Sequence, residues 1–199
     1  MGDICLTDIS KSFGENRVLT GFSGVFPAGK ITCVTGPSGR GKTTLLRLIA
    51  GLETPDSGRI TGVDGQKIGM VFQEDRLIGS LRASDNVRLV MAKAVTEAHL
   101  RQCFAALGLE ESFDKPANAL SGGMARRTAL LRALLSDADL LLLDEPFKGL
   151  DEDTRQRVIA FTREELRGRT CILVTHAAEE AELLGAAAHI RLTDAGHAG

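Results

Sequence analysis

A loop of eight residues constrains the fold of this chain more than any other feature of its sequence. Residues 36–43 read Gly-Pro-Ser-Gly-Arg-Gly-Lys-Thr and match the pattern G-x-x-x-x-G-K-S/T. An apolar run at residues 31–35 precedes the loop and a helical pattern follows Lys42, which is the strand-loop-helix setting that the pattern requires. Glycines let backbone N–H groups converge on phosphate oxygens, and the helix N-terminus adds positive potential. The loop therefore predicts phosphate binding, against the alternative of a glycine-rich turn that matches by accident.

Two side chains of this loop have expected roles of their own. We expect Lys42 to reach the outer phosphates and the hydroxyl of Thr43 to hold Mg²⁺. The remaining candidate phosphate-binding residues are Gly36, Pro37, Ser38, Gly39, Arg40 and Gly41.

A second motif is an apolar run that ends in two carboxylates. Residues 140–143 are four leucines, followed by Asp144 and Glu145, and an apolar run without alternation is typical of a central strand covered on both faces. Neighbouring side chains at a strand end point in different directions, so the two carboxylates can divide the work. We expect Asp144 to hold hydrated Mg²⁺ and Glu145 to face the attacking water as general base. The alternative is an acidic pair that only opens a turn before Pro146.

A third motif is Leu-Ser-Gly-Gly-Met at residues 120–124, which precedes an arginine-rich helical pattern. Ser121 is a good N-cap, while Gly122 and Gly123 leave the helix start open to close approach by an anion. The alternative is a Ser-Gly-Gly linker that caps a structural helix.

Short apolar runs alternate with helical patterns along the chain, which predicts an α/β fold in a single domain. Residues 74–136 contain helical patterns and no convincing strand, so we expect a helical subdomain there, inserted into a core of about residues 1–73 and 137–199. Strands are expected at residues 4–8, 31–35, 68–72, 140–144, 171–175 and 189–193. Helices are expected after residue 42 and at about residues 84–108, 121–136, 152–167 and 177–184.

From about residue 10 to residue 193, the order of these motifs resembles the ATP-binding subunits of ABC transporters. The resemblance implies a P-loop NTPase fold with a RecA-like core, an N-terminal antiparallel β subdomain and the inserted helical subdomain. It implies that residues 36–44, including Thr44, form the Walker A loop and that residues 120–124 form the signature loop. The resemblance also implies that Phe13 stacks on adenine and that His176 contacts the γ-phosphate. It implies that Gln73 is the glutamine of the Q-loop, with metal and catalytic contacts, and that Asp151 ends the D-loop. Without the resemblance, Phe13 reads as a core residue and His176 as a structural one.

The resemblance also implies partners. In this family the signature loop of one subunit completes the Walker site of another, so we expect MgATP to bind at a head-to-tail dimer, a homodimer or a heterodimer. A separate transmembrane permease is expected as a partner, and a substrate-binding protein can join through that complex. Residues 73–77 and Met124 resemble importers of the nitrate, sulfonate and taurine group. Apolar residues of segment 77–89, including Ile78, Leu81 and Val87, either line a groove for a cytoplasmic helix of the permease or pack the helical subdomain.

Two departures from the family pattern stand out. Met124 replaces the common glutamine of the signature, and Lys148 puts a charge where the family has a small residue before the D-loop. The first change is mild, because we expect Ser121 and the glycine amides to face the phosphate. Lys148 is expected near the dimer interface, and the sequence does not identify the residue with which it pairs.

Charge and hydropathy exclude other classes of function. Lys plus Arg number 24 against 26 for Asp plus Glu, which argues against nucleic acid as a partner. No apolar run approaches a membrane span, and four cysteines without paired spacing are typical of a reducing compartment, so a cytoplasmic protein peripheral to the membrane is expected.

The alternatives are an exporter cassette, an ABC-type ATPase linked to DNA, RNA or ribosomes, a small-molecule kinase and a nucleotide-gated scaffold. A kinase leaves the signature loop and His176 unexplained, and Glu145 argues against a scaffold.

Overall fold

The computed structural model of the chain describes residues 2–193. The strands are β1 (Ile4–Phe13), β2 (Asn16–Phe26), β3 (Ile31–Thr35), β4 (Ser57–Thr61), β5 (Ile68–Val71), β6 (Leu140–Asp144), β7 (Thr170–Val174) and β8 (Ala188–Arg191). The α-helices are α1 (Lys42–Ile49), α2 (Ala83–Arg88), α3 (Glu97–Ala106), α4 (Gly122–Leu134), α5 (Glu152–Glu165) and α6 (Ala178–Leu184). Residue 1 and residues 194–199 of the expected domain lie outside the described residues.

A parallel sheet with the strand order β5-β6-β7-β3-β8 forms the centre of the fold. Strand β6 is buried along its whole length, as expected from its four leucines. Because side chains alternate across a strand, Leu141 and Leu143 belong to one hydrophobic cluster and Leu140 and Leu142 to another. The first cluster packs beneath α2–α6 and the second beneath α1 and the antiparallel strands, so the sheet is covered on both faces.

The second sheet is antiparallel, with the order β2-β1-β4. This confirms the N-terminal β subdomain that the family resemblance implied. The residue patterns alone predicted neither β2 nor β4. Register shifts interrupt the pairing of β1 with β2 and disturb the alternation of apolar residues, while β4 carries a single apolar side chain, Ile60. Neither strand therefore shows the period of two that identifies a half-buried strand.

One expected helix is wrong. Residues 84–108 do not form a single helix, because the chain leaves α2 after Arg88 and re-enters a helix only at Glu97. Between them Met91 forms a β-bridge with Ser136, and Thr96 caps α3 by accepting a hydrogen bond from the N–H of His99 at 3.2 Å. Backbone pairing with the end of α4 and a new N-cap thus outweigh the helical pattern.

The expected boundaries of α4, α5 and α6 agree with the structure to within about two residues. Within residues 2–193, no helix combines the length and the apolar character needed to cross a lipid bilayer.

Candidate functional site

The glycine-rich loop joins β3 to α1, as expected from the strand-loop-helix pattern. Lys42 is the first residue of α1 and is 6% exposed. Its Nζ donates hydrogen bonds to the carbonyl oxygens of Gly36 at 2.7 Å and Pro37 at 2.9 Å. The ammonium group therefore lies inside the curve of the loop, where it can meet an anionic ligand.

Two glycines of this loop are required by close packing. Gly41 has φ 82°, and a Cβ there would lie 2.7 Å from Cγ1 of Val18. At Gly36, with φ 149°, a Cβ would lie 2.6 Å from the carbonyl oxygen of Leu192. Both conformations disfavour other residues, so the sequence specifies the tight backbone path of this loop.

Thr43 and Asp144 meet across the site although they are far apart in sequence. The hydroxyl of Thr43, in the first turn of α1, donates to Oδ2 of Asp144 at 2.7 Å. Asp144 ends β6 and is 1% exposed. A hydroxyl and a carboxylate are the hard oxygen ligands that Mg²⁺ prefers, so this pair suits the cation proposed from the sequence.

Glu145 follows Asp144 and turns away from it. Its φ is 49°, a left-handed conformation that is uncommon outside glycine and that clusters at functional sites. Its backbone N–H donates to the carbonyl of Val174 at 2.9 Å, which ties the end of β6 to the end of β7. The two carboxylates thus point in different directions, as the strand-end argument requires.

Both carboxylate oxygens of Glu145 have cationic or hydrogen-bonding partners. Nε2 of His176 lies 2.9 Å from Oε1, and Nζ of Lys148 lies 2.8 Å from Oε2. The sequence left the partner of Lys148 open, and within one chain that partner is Glu145. The sequence did not reveal this contact. Glu145 and Lys148 are three positions apart and approach each other only because the chain turns after β6, where the backbone N–H of Lys148 donates to the carbonyl oxygen of Glu145 at 3.2 Å.

His176 is held by a buried pair at the end of β7. The hydroxyl of Thr175 donates to the carboxylate of Glu180 and accepts from the N–H of Ala177 at 3.0 Å. These bonds fix the turn between β7 and α6 from both sides. Glu180 was not recognised from the sequence, where it is one of several glutamates on a helix face.

A cleft of about 320 Å³ joins the candidate residues. Phe13, at the end of β1, is 45% exposed there, so it is not the core residue that the alternative reading required. Thr44 and Gln73 border the same cleft as the side chains of Glu145 and His176. The remaining lining residues are Val18, Ser38, Gly39, Gly41, Lys42 and Thr43. Gly36, Pro37 and Arg40 belong to the loop but do not line this cleft.

Ser121, Gly122 and Gly123 are not among the lining residues of this cleft. Ser121 is the N-cap of α4 and accepts from the N–H of Met124 at 3.3 Å. Gly122 is exposed, and a Cβ there would meet nothing within 4 Å. The N-terminus of α4 is therefore open to solvent, and one chain does not bring it to its own phosphate loop.

Arg126 connects α4 to the segment that carries Gln73. Its guanidinium donates to the carbonyl of Phe72 at 2.6 Å and to that of Gln73, and its Nε lies 3.2 Å from Oδ1 of Asp75. Sequence reasoning noted an arginine-rich helix but not this role, because the carbonyl partners of an arginine leave no pattern in the sequence.

The electrostatics of the site follow from burial and from close charges. Burial raises the pKa of Asp144, and the charge of Glu145 adds to this, although the hydrogen bond from Thr43 opposes it. Burial lowers the pKa of Lys42, against the attraction of both carboxylates. For Glu145, burial acts to raise the pKa, but the hydrogen bonds and charges of Lys148 and His176 outweigh it and leave the pKa lowered. Glu145 is therefore ionised near neutral pH and can accept a proton from water.

Comparison with known proteins points to one family. Residues 19–148 match the family described as ABC transporter. The taurine import ATP-binding protein of Pseudomonas aeruginosa is 40% identical over 194 residues, covering 88% of this chain and 73% of the relative. An aliphatic sulfonates import ATP-binding protein of Rhodococcus jostii is 41% identical over 181 residues, covering 89% of this chain and 67% of the relative.

A solved structure, the dimeric bacterial ABC transporter cassette MJ0796, superposes with a TM-score of 0.82 at 27% identity, covering 98% of this chain and 96% of that one. The same cassette in a post-hydrolysis state with ADP and Pi superposes equally well. The family match covers more than half of the chain, and the two relatives are about 40% identical to it over most of its length. These findings confirm the resemblance seen in the sequence: the chain belongs to the ABC transporter family, as an ATP-hydrolysing cassette of α/β fold.

Proposed function

We propose that this chain is the ATP-hydrolysing subunit of an importer for small organic sulfonates. The observation that carries the proposal is that Lys42, Thr43 and Glu145 line one cleft, with the buried Asp144 bonded to Thr43, in a chain whose relatives are named for taurine and sulfonate import. The residues at the cleft indicate ATP hydrolysis, and the names of the relatives indicate the class of transported solute.

In this proposal ATP binds across the glycine-rich loop. Phe13 stacks on adenine by its ring face, since the chain has no Trp or Tyr. Lys42, the backbone N–H groups of residues 36–44 and the N-terminus of α1 bind the phosphates. His176 leaves Glu145 to contact the γ-phosphate, which frees Oε1 of Glu145 for water.

The cation site of the proposal consists of Thr43, Asp144 and Gln73. Bound there, Mg²⁺ supplies positive charge that offsets the charge of the phosphates. Glu145 accepts a proton from the attacking water and orients it in line with the bond that breaks. Lys42 stabilises the negative charge that develops on the phosphoryl oxygens.

A second copy completes each site. Ser121, Gly122 and Gly123 stand at an open helix N-terminus away from the cleft of their own chain, which is the arrangement that a head-to-tail dimer needs. One subunit would then supply the Walker residues and the other its signature loop. The helical subdomain at about residues 74–136 is proposed to carry that signature loop and to move with Gln73 through Arg126.

The permease is proposed to dock on the segment after Gln73. Within residues 77–89, Ile78 is 48% exposed and Leu89 is 58% exposed, whereas Val87 is buried in the core and cannot contact a partner. A partner helix with an apolar face would cover the exposed side chains. In this arrangement the chain lies at the cytoplasmic face of the membrane, and a substrate-binding protein joins through the permease.

The test is uptake of labelled taurine and alkanesulfonates by cells that lack this chain. Wild-type chain is expected to restore uptake and the Lys42→Ala variant is expected not to, while both co-purify with the same membrane subunit. Uptake that is unaffected by loss of the chain would exclude sulfonates as substrates. Recovery of ribosomal or DNA-bound proteins in place of a membrane subunit would contradict a transport role.

A further inference from the structure

Three potential metal ligands meet outside the nucleotide cleft. His99 and Cys103 lie one turn apart on α3, and Glu165 is the last residue of α5. One ligand atom from each lies within 4.8 Å of the other two. None of the three lines the cleft described above, so the nucleotide site does not account for this cluster.

The helical geometry explains why these side chains converge. Residues four apart share one face of a helix, and on α3 this face includes Leu100 and Cys103, both buried. Cys103 is 1% exposed, whereas His99 and Glu165 are half-buried. The thiol therefore lies at the bottom of the cluster, and the imidazole and carboxylate border its approach from solvent.

The distance between the first two ligands suits a tetrahedral metal ion. Sγ of Cys103 and Nε2 of His99 are 3.5 Å apart. Zn²⁺ bonds of about 2.3 Å to sulfur and about 2.0 Å to nitrogen at a tetrahedral angle place these atoms about 3.5 Å apart. A hydrogen bond between thiol and imidazole has a similar length. The third ligand therefore decides whether the pair is only hydrogen-bonded or also binds a metal ion.

Glu165 is that third ligand. The carboxylate of Glu165 is half-buried and forms no hydrogen bond or ion pair within residues 2–193, although the charge of Arg169 acts on it through space. The carboxylate of Glu165 lies within reach of both the thiol and the imidazole, and its negative charge attracts a cation. A thiol–imidazole hydrogen bond alone does not engage this carboxylate, whereas a metal ion would bind all three groups.

We propose that His99, Cys103 and Glu165 form a binding site for a thiol-preferring divalent transition-metal ion, with Zn²⁺ as the ion that matches their donors. The set has one nitrogen, one sulfur and one oxygen ligand, and a water molecule completes the tetrahedron. On binding, the Cys103 thiol releases its proton to solvent. The bound ion fastens α3, in the helical segment, to the C-terminal end of α5, which belongs to the core. This site is independent of the function proposed above.

The experiment uses Co²⁺ as a spectroscopic substitute for Zn²⁺ in the full-length, metal-free chain. The wild type is expected to show a thiolate-to-cobalt charge-transfer band and the intense visible bands of tetrahedral Co²⁺ at one equivalent, and Zn²⁺ is expected to abolish both. Cys103→Ser should lose the charge-transfer band, and His99→Gln and Glu165→Gln should each weaken cobalt binding at least tenfold. Cys5→Ser is the matched control, because Cys5 is a free thiol in β1 and is not part of the cluster, and it should retain both bands.

A second readout is thermal stability without nucleotide. Zn²⁺ is expected to raise the melting temperature of the wild type and of Cys5→Ser, and to leave that of Cys103→Ser unchanged. The proposal is overturned by a cobalt spectrum without a thiolate band, or by a band that Cys5→Ser removes and Cys103→Ser retains. Circular dichroism of each variant verifies that it is folded.

Discussion

Nζ of Lys148 lies 2.8 Å from Oε2 of Glu145 in the same chain. The opposite oxygen of this carboxylate lies 2.9 Å from His176, so the group proposed as general base has a partner on each side. Lys148 has 59% of its side chain exposed, and such a partly solvated pair contributes only about 0.2–1 kcal/mol. The contact therefore has a modest effect on the basicity of Glu145 and contributes little to the stability of the fold.

Removing Lys148 is expected to speed hydrolysis. In the Lys148→Ala variant the lysine no longer lowers the pKa of Glu145, so the carboxylate becomes a stronger base while it remains ionised at neutral pH. We expect kcat to rise about two- to fivefold, since the pair is worth at most about 1 kcal/mol, with the KM for ATP unchanged. Lys148→Arg should retain the wild-type rate. A fall in kcat for Lys148→Ala would show that the lysine assists the reaction instead.

Asp144→Asn is expected to stabilise the nucleotide-free protein while abolishing its activity. Burial raises the pKa of Asp144, so the folded state loses stability as pH rises from the ordinary aspartate pKa through the raised one. The variant should therefore melt at a higher temperature than the wild type at pH 7, with the difference vanishing near pH 3. Differential scanning fluorimetry at both pH values measures this. Asp64→Asn, at an exposed position, is the control and should melt like the wild type; an Asp144→Asn melting temperature below wild type at pH 7 contradicts the argument.

Phe13 is expected to bind the base of ATP. Stacking of a base on an aromatic side chain contributes about 1–3 kcal/mol, so Phe13→Ala should weaken ATP binding roughly tenfold in a fluorescent-nucleotide assay. The matched control is Val25→Ala, which removes another exposed apolar side chain of the antiparallel sheet. Unchanged affinity in Phe13→Ala would mean that the ring is an exposed surface residue only.

Removing the side chain of Arg169 is expected to lower the free energy of unfolding more than most single substitutions do. Its guanidinium donates to the carbonyls of Leu134 at 2.6 Å, Ser136 at 3.2 Å and Ala138 at 2.9 Å, which joins the end of α4 to the start of β6. Arg169→Met leaves these carbonyls without a donor and should lower the free energy of unfolding by about 2–4 kcal/mol. Urea denaturation measures the change. Arg163→Met, at an exposed position on α5, should change it by less than about 0.5 kcal/mol, and similar values for the two variants would contradict the prediction.

The sequence predicted features that arise from local patterns. The four leucines of β6 and the glycines around Lys42 leave strong signals, because burial on both faces and close backbone packing each require particular residue types. The separation of α2 from α3 left no such signal, since it depends on the pairing of Met91 with Ser136 from a distant segment. The partners of Arg126 were hidden for the same reason, because backbone carbonyls can belong to any residue. The contact between Thr43 and Asp144 was expected only through their shared role toward Mg²⁺.

The central claim is that Glu145 activates water at a site completed by a second subunit. Gel filtration and phosphate release of Glu145→Gln with MgATP test it directly, because this change removes the base and preserves the side-chain shape. We predict that phosphate release falls by at least about a hundredfold and that ATP shifts the variant to a dimer, while the wild type stays monomeric during turnover. Glu164→Gln, at an exposed position on α5, should behave as the wild type. Hydrolysis by Glu145→Gln at the wild-type rate would contradict the assignment of the base, and a variant that stays monomeric with ATP would contradict the shared site.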